Sequence, residues 1–148
     1  LGDVVAQARG GLPIRLEPGG PGHGALDGLP ARPRIEYVTF GELSTETVLS
    51  GDTDRLSAAG TDALDDLLAK PTVDRLINSS REFADAAGLL TDDVREAITA
   101  VEAAGGRAAM AMLGRTVFAT DSGLSDAGYE PSVCRIDAAG GRLVDRDT

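Results

Sequence analysis

The 148-residue sequence predicts an α+β fold, an antiparallel sheet with helices packed on one face. Three observations carry that prediction. The stretch RIEYVTF, from Arg34 to Phe40, mixes β-branched and aromatic residues as a half-buried strand does. Segments with apolar residues at helical spacing then run from Thr61 to Gly105. Two short apolar runs, AAMAMLG and TVFAT, follow and read as a hairpin joined at Gly114.

In chain order, Asp3 to Arg9 predicts a short helix with Asp3 as N-cap and Gly10 just past its C-terminus. LPIRLEP alternates and reads as a strand, placed at an edge by Pro13. GGPGHGALDGLPARP, residues 19–33, reads as a long loop and is the only clear linker. In RIEYVTF the buried side is expected to hold Ile35, Tyr37 and either Val38 or Thr39, with a short helix following from Ser44. Thr61 is expected to cap a helix whose Leu64, Leu67 and Leu68 share a face. Pro71 suits the first position of the next helix, which carries Val73, Leu76, Ile77, Phe83, Ala84 and Ala87 and ends at Gly88. Thr91 opens a third, with Asp92 and Asp93 in its dipole-favoured first turn, Val94, Ile98 and Val101 inward, and Gly105 as stop. SVCRIDAAGGRLVD predicts a last hairpin turning at Gly140-Gly141.

Composition narrows the function. Apolar residues make up 42%, as in a globular protein. Asp and Glu number 24 against 14 Lys and Arg, a formal charge of -10, and Lys70 is the only lysine. Such a surface does not attract DNA, RNA or anionic lipid. No apolar run approaches the roughly 20 residues of a membrane-spanning helix. A single cysteine, Cys134, excludes an internal disulfide framework and is compatible with a reducing, cytoplasmic compartment.

Few residues carry candidate chemistry. Asp3 reads first as a helix cap, and otherwise as a carboxylate that contacts a substrate hydroxyl. Gly105, Gly106, Arg107, Ala108, Ala109 and Met110 read as a helix stop followed by an apolar strand, or as a small-residue loop that lets backbone approach a phosphate. That stretch matches neither the Walker pattern nor a dinucleotide fingerprint. Arg15 is either an exposed strand residue or a fork for a substrate carboxylate. His23 stands without a second histidine or nearby cysteine and reads as a solvated loop residue. Cys134, Met110 and Met112 read as core, and Asp65-Asp66 and Asp92-Asp93 as exposed helix charge rather than metal ligands.

The runs LGDVVAQARGGLPIR, FGELST, GTDALDDLLAKPTVDRLINSSREFADAAGLLTDDV and, most specifically, AAMAMLGRTVFA resemble the archaeal pantoate kinases of the GHMP kinase superfamily. The resemblance implies a ferredoxin-like C-terminal domain over residues 34–148 and, over 1–33, a remnant of the N-terminal domain. It implies ATP-dependent phosphorylation of pantoate to 4-phosphopantoate, with Mg2+, in coenzyme A biosynthesis. In that family a catalytic Asp precedes a helix with a Gly seven residues on, and Asp3 and Gly10 reproduce the spacing. Asp3 is thereby similar to the residue that engages the acceptor hydroxyl, and Arg15 becomes the candidate for pantoate's carboxylate. The superfamily's third motif would fall at Gly105 to Met110, departing from the usual Gly-x-Gly form at Arg107, Ala108 and Ala109. The family's phosphate loop, Pro-x-x-x-Gly-Leu-Gly-Ser-Ser-Ala, does not occur here. Leu1 is therefore expected to be an interior residue of a longer chain, and the stretch as written to be inactive alone. Another GHMP small-molecule kinase, or a non-catalytic GHMP-like binding or dimerisation module, remains an alternative. A homodimer is compatible with the chain, whose sequence does not set its oligomeric state.

The acidic, lysine-poor composition is expected of a protein adapted to strong salt, where the Debye length falls to about 3 Å near 1 M and self-repulsion is screened. The alternative is ordinary acidity from a GC-rich genome. Adaptation to salt predicts loss of structure in dilute buffer, read by circular dichroism across a salt series. A full cooperative melt at low salt would exclude it.

Overall fold

A computed structural model describes residues 2–19, 23–42, 53–111 and 114–142, with the side chains of Asp3 and Glu42 outside that description. The helix expected from Ser44 lies outside the described residues. The chain divides into two compact units, Leu1–Pro33 with Arg135–Thr148, and Arg34–Cys134.

The first unit begins with helix α1, Gly2–Arg9, followed by β1, Leu12–Arg15, and β2, Leu26–Leu29. Helix α1 starts one residue earlier than expected, so Asp3 lies inside its first turn and not at the N-cap. Gly10 does end it: its φ is +71° and its amide donates to the Ala6 carbonyl at 2.8 Å. β1 and β2 pair antiparallel, with Leu12 opposite Leu29 and Arg15 opposite Leu26. β2 corrects the expectation of an unbroken loop over 19–33. Asp27-Gly28 reads locally as a turn, yet pairing with β1 and burial of Ile14 and Leu29 outweigh that local preference. After the last strand, Asp137 and Gly141 bond to α1 and its exit turn. The second half of the hairpin expected to turn at Gly140-Gly141 lies mostly outside the described residues.

The second unit runs β3 (Arg34–Glu42), α2 (Thr53–Ala69), α3 (Val73–Ala86), α4 (Asp92–Ala103), β4 (Ala108–Ala111), β5 (Gly114–Thr120), α5 (Gly123–Asp126) and β6 (Ser132–Arg135). The strand order is β4-β5-β3-β6, with β5 antiparallel to both β4 and β3. Helical segments connect β3 to β4 and β5 to β6, giving the ferredoxin-like arrangement and the expected α+β class. The predicted β4–β5 hairpin pairs Ala108 with Ala119 and Met110 with Val117.

One core holds this unit together. Val94, Ala97, Ile98 and Val101 of α4 pack with Ala84, Ala108, Met110, Val117, Ala119 and Leu124, and Val38 and Phe40 border them. The helix-facing side of β3 is therefore Glu36, Val38 and Phe40, opposite in phase to the expected Ile35 and Tyr37; Tyr37 is exposed. A period of two fixes alternation but not which set faces inward.

Helix boundaries also shifted. α2 runs through Gly60, so Thr61 is an interior residue whose hydroxyl donates to the Ser57 carbonyl at 3.0 Å; Leu67 is buried while Leu68 is exposed. Pro71 precedes α3 and does not take its first position: Thr72 is the N-cap, its hydroxyl accepting from the Arg75 amide at 3.2 Å. Gly88 follows α3 with φ +72°, and α4 has both expected ends, Thr91 and Gly105.

Glu36 fixes the phase of β3. It is fully buried, and one carboxylate oxygen accepts from the Leu124 and Ser125 amides at 3.1 and 2.9 Å. The other accepts from the Ser125 hydroxyl at 2.7 Å and the Arg34 guanidinium at 2.6 Å. Burial is the largest influence on its pKa and pushes it up, but the Ser125 and Arg34 hydrogen bonds together outweigh burial and leave it lowered. Its stabilisation is present above the ordinary carboxylate range and is lost as pH falls through the lowered value. Glu36→Gln replaces one acceptor with a donor facing other donors, and is expected to cost about 1–3 kcal/mol in urea unfolding.

Candidate functional site

In the first unit, α1 presents Asp3 in its first turn and exits through two left-handed glycines, Gly10 and Gly11, at φ +71° and +70°. The exit turn opens on a cleft of about 340 Å³ lined by Arg9, Leu12, Pro13, Asp27, Leu29 and Ala138, among others. Arg9 and Asp27 bring opposite charges to it. Arg15 ends β1 half-buried, opposite Leu26. Asp3 and Arg15 thus belong to one unit, and Gly105 to Met110 to the other.

The glycine pair of the second unit closes α4. Gly105 (φ +84°) donates its amide to the Glu102 carbonyl at 3.0 Å, and Gly106 to the Val101 carbonyl at 2.9 Å. These two bonds form a Schellman motif. A Cβ on Gly106 would lie 2.8 Å from Val101 Cγ1 and 3.3 Å from Gly123 Cα, so its missing side chain lets α4 meet α5. Arg107 reaches out to Asp74 (3.2 Å), while Ala108, Ala109 and Met110 are buried on β4. Both glycine amides are therefore already donated within the fold.

A charged cluster that the sequence reading missed sits where α4 begins. The Asp93 carboxylate accepts from the Thr91 hydroxyl at 2.5 Å and the Val94 amide at 2.9 Å, and pairs with Arg115 at the start of β5. Arg115 lies against Gly41, where a Cβ would come within 3.2 Å of its Nη1, beside the bulge of β3 between Thr39 and Glu42. The Arg115 bond first, then the Thr91 bond, hold the Asp93 pKa down at about 2. The sequence predicts exposed helix charge at Asp92-Asp93, whereas Asp93 is half-buried and paired. The signal available was the spacing Thr91-x-Asp93 at a helix start, although nothing local named Arg115. Glu36 was missed likewise; its signal was a carboxylate inside an apolar strand pattern, which demands buried donors.

Among the described residues, no group of three or more His, Cys, Asp or Glu could hold a metal ion. His23 is exposed, as expected of a loop residue; Cys134, expected in the core, is exposed on β6, all four residues of which are exposed. No helix among the described residues is long and apolar enough to cross a membrane.

No protein-family model matches the chain. It is 37% identical over 122 residues to the pantoate kinase of Thermococcus kodakarensis, across 80% of this chain and 41% of that protein. The pantoate kinase of Methanospirillum hungatei is 34% identical over 119 residues, covering 80% and 39%, and that of Methanocaldococcus jannaschii 31% over 120 residues, covering 80% and 44%. A solved structure described as a phosphotransferase related to the CoA biosynthesis pathway superposes with TM-score 0.76 at 28% identity, over 95% of this chain and 49% of its own. The chain spans 39–44% of the length of these three curated relatives.

Asp93→Asn is expected to change acid stability in one direction. Asp93's pKa lies at about 2 against 3.8 for a free side chain, so its stabilisation is present above 3.8 and lost as pH falls toward 2. The variant should melt lower than the parent at neutral pH and converge with it in acid. Parallel melting curves across that range would show that the pair does not titrate with folding.

Proposed function

We propose that the chain is part of an ATP-dependent kinase that phosphorylates pantoate to 4-phosphopantoate in archaeal coenzyme A biosynthesis. The observation that supports this most is the 37% identity over 122 residues to a pantoate kinase, in company with the phosphotransferase likeness. On this reading residues 1–33 descend from the N-terminal GHMP domain and those from Arg34 onward begin the C-terminal one. ATP supplies the phosphoryl group when bound, with Mg2+ neutralising its charge. Pantoate, ATP and Mg2+ are its partners, with a homodimer as the assembly to look for. A cytoplasmic location and a strong-salt interior fit the single cysteine and the acidic surplus.

Asp3 orients the acceptor hydroxyl and takes its proton late. An alcohol's pKa near water's, about 16, stands against about 4 for Asp, so full proton removal before attack would cost roughly 16 kcal/mol. A loose phosphoryl-transfer transition state makes little early demand on the nucleophile, which removes the need for that step. Arg15 offers a planar fork for pantoate's carboxylate. The stretch Gly105 to Met110 contributes as scaffold, because the amides of Gly105 and Gly106 already serve the α4 terminus and β4 carries the hairpin onward.

Asp3→Asn in the intact protein is expected to lower turnover on pantoate by about a hundredfold or more while the KM for ATP stays nearly unchanged. Steady-state kinetics with both substrates varied measures this. Near-normal turnover would return Asp3 to a purely structural place in the first turn of α1.

A further inference from the structure

α1 needs an external anchor. It has eight residues, Val4 is 58% exposed, and Ala6 to Arg9 are exposed. A helix so short is marginal on its own, and little apolar burial holds this one. Two backbone hydrogen bonds tie its C-terminal end to the segment Asp137–Gly141. Gly11 donates its amide to the Asp137 carbonyl at 2.8 Å, and Gly141 donates to the Gln7 carbonyl at 2.8 Å. The two bonds run in opposite directions and bracket the helix exit. The Asp137 carboxylate accepts the Ala139 amide at 2.8 Å, shaping the turn that delivers them.

Between those bonds two glycines interlock. A Cβ on Gly10 would lie 2.3 Å from the Gly140 nitrogen, and one on Gly140 would lie 2.5 Å from the Ala8 carbonyl oxygen. All the atoms met are backbone, so neither side can yield by rotating a side chain. Both residues are also left-handed, at φ +71° and +65°. Gly141 differs: its Cβ would meet the Gln7 oxygen at 3.6 Å, an ordinary contact.

We propose that Asp137–Gly141 is the positioning element of α1, fixing through the Gly10–Gly140 contact the helix on which Asp3 stands. The segment is a positioning element and is assigned no contact with substrate. It acts through the hydrogen-bonded turns of α1, about 10 Å from Gly10 to Asp3, so loosening the lock changes how firmly the carboxylate is held. The meaning of Asp3 rests on the kinase reading, whereas the lock itself stands on the geometry alone.

The test is Gly140→Ala in the intact protein, with Asp137→Ala as a milder variant should the first fail to fold. Gly128→Ala is the control, since Gly128 (φ +88°) has the same left-handed backbone but nothing within 4 Å of an added Cβ. Three readouts are taken: amide hydrogen exchange at Gly11 and Gly141, the 13C shift of the Asp3 carboxyl carbon, and kcat and KM on pantoate. The lock predicts faster exchange at both amides, a moved Asp3 signal, and kcat down by about tenfold to a hundredfold with the KM for ATP held. The control should move none of these. Unchanged exchange in both variants would overturn the lock, and faster exchange with an unmoved Asp3 signal would overturn the positioning role. If the parent protein does not phosphorylate pantoate, the kinase reading fails, while the exchange and carboxyl signals still decide the lock.

Discussion

The ferredoxin-like unit depends on a carboxylate buried where three elements meet. Glu36 stands on β3, beside β5 in the sheet, and receives the Leu124 and Ser125 amides of α5 together with Arg34 and the Ser125 hydroxyl. Its partner across the β3–β5 pair is Ala119, a side chain small enough to leave room. A buried charge with all its acceptor sites used is tolerable, and with any removed it is costly. The cluster therefore sets more than local geometry. It selects which face of β3 turns inward, and so aligns Val38 and Phe40 with the core of α4. Arg34 also donates to the Asp121 carbonyl, and the Asp121 amide returns a bond to the Arg34 carbonyl at 2.8 Å. The turn into α5, with Asp121 at φ +58°, is thereby tied to the first residue of β3.

How much of this was legible follows from how local each determinant is. α4 was readable at both ends because Thr91, the Val94–Ile98–Val101 face and Gly105 all act within its own span. The β4–β5 hairpin was readable for the same reason. β2 was not, since Leu26 to Leu29 becomes a strand only through pairing with β1, and its Asp-Gly pair argues locally for a turn. The phase of β3 was unreadable because both alternating sets contain apolar residues, and a tertiary contact of Glu36 with α5 decides between them. Gly60 and Thr61 suggested a helix start, but packing of α2 against α3, with Phe83 3.8 Å from the position of a Gly60 Cβ, carries the helix through.

The candidate site was less legible than the fold, and for a different reason. Nothing in the physics of GDVVAQARGG distinguishes a carboxylate in a helix's first turn from one that meets a substrate; the resemblance supplied that distinction. At Gly105-Gly106 both readings demand the same backbone. A left-handed glycine serves a helix terminus and a phosphate loop equally, so residue type cannot separate them. What separates them is where the amides point, and here both donate to carbonyls of α4. The Asp93–Arg115 pair was invisible because 22 positions separate its members.

The charge balance can be set beside these interactions. The ion pairs described between side chains all use arginine, and several, such as Arg95 with Asp85 and Arg107 with Asp74, are about half exposed. Exposed pairs contribute little at any ionic strength, and strong salt screens what they do contribute. Glu36 is shielded from that screening by burial, and its hydrogen bonds act at distances far below a Debye length. An acidic surplus of this size therefore bears on solubility and self-repulsion, while the fold's specificity resides in the α4 core and the Glu36 cluster. In strong salt, repulsion fades and those two remain; in dilute solution the same core must hold against repulsion that its short-range bonds do nothing to relieve.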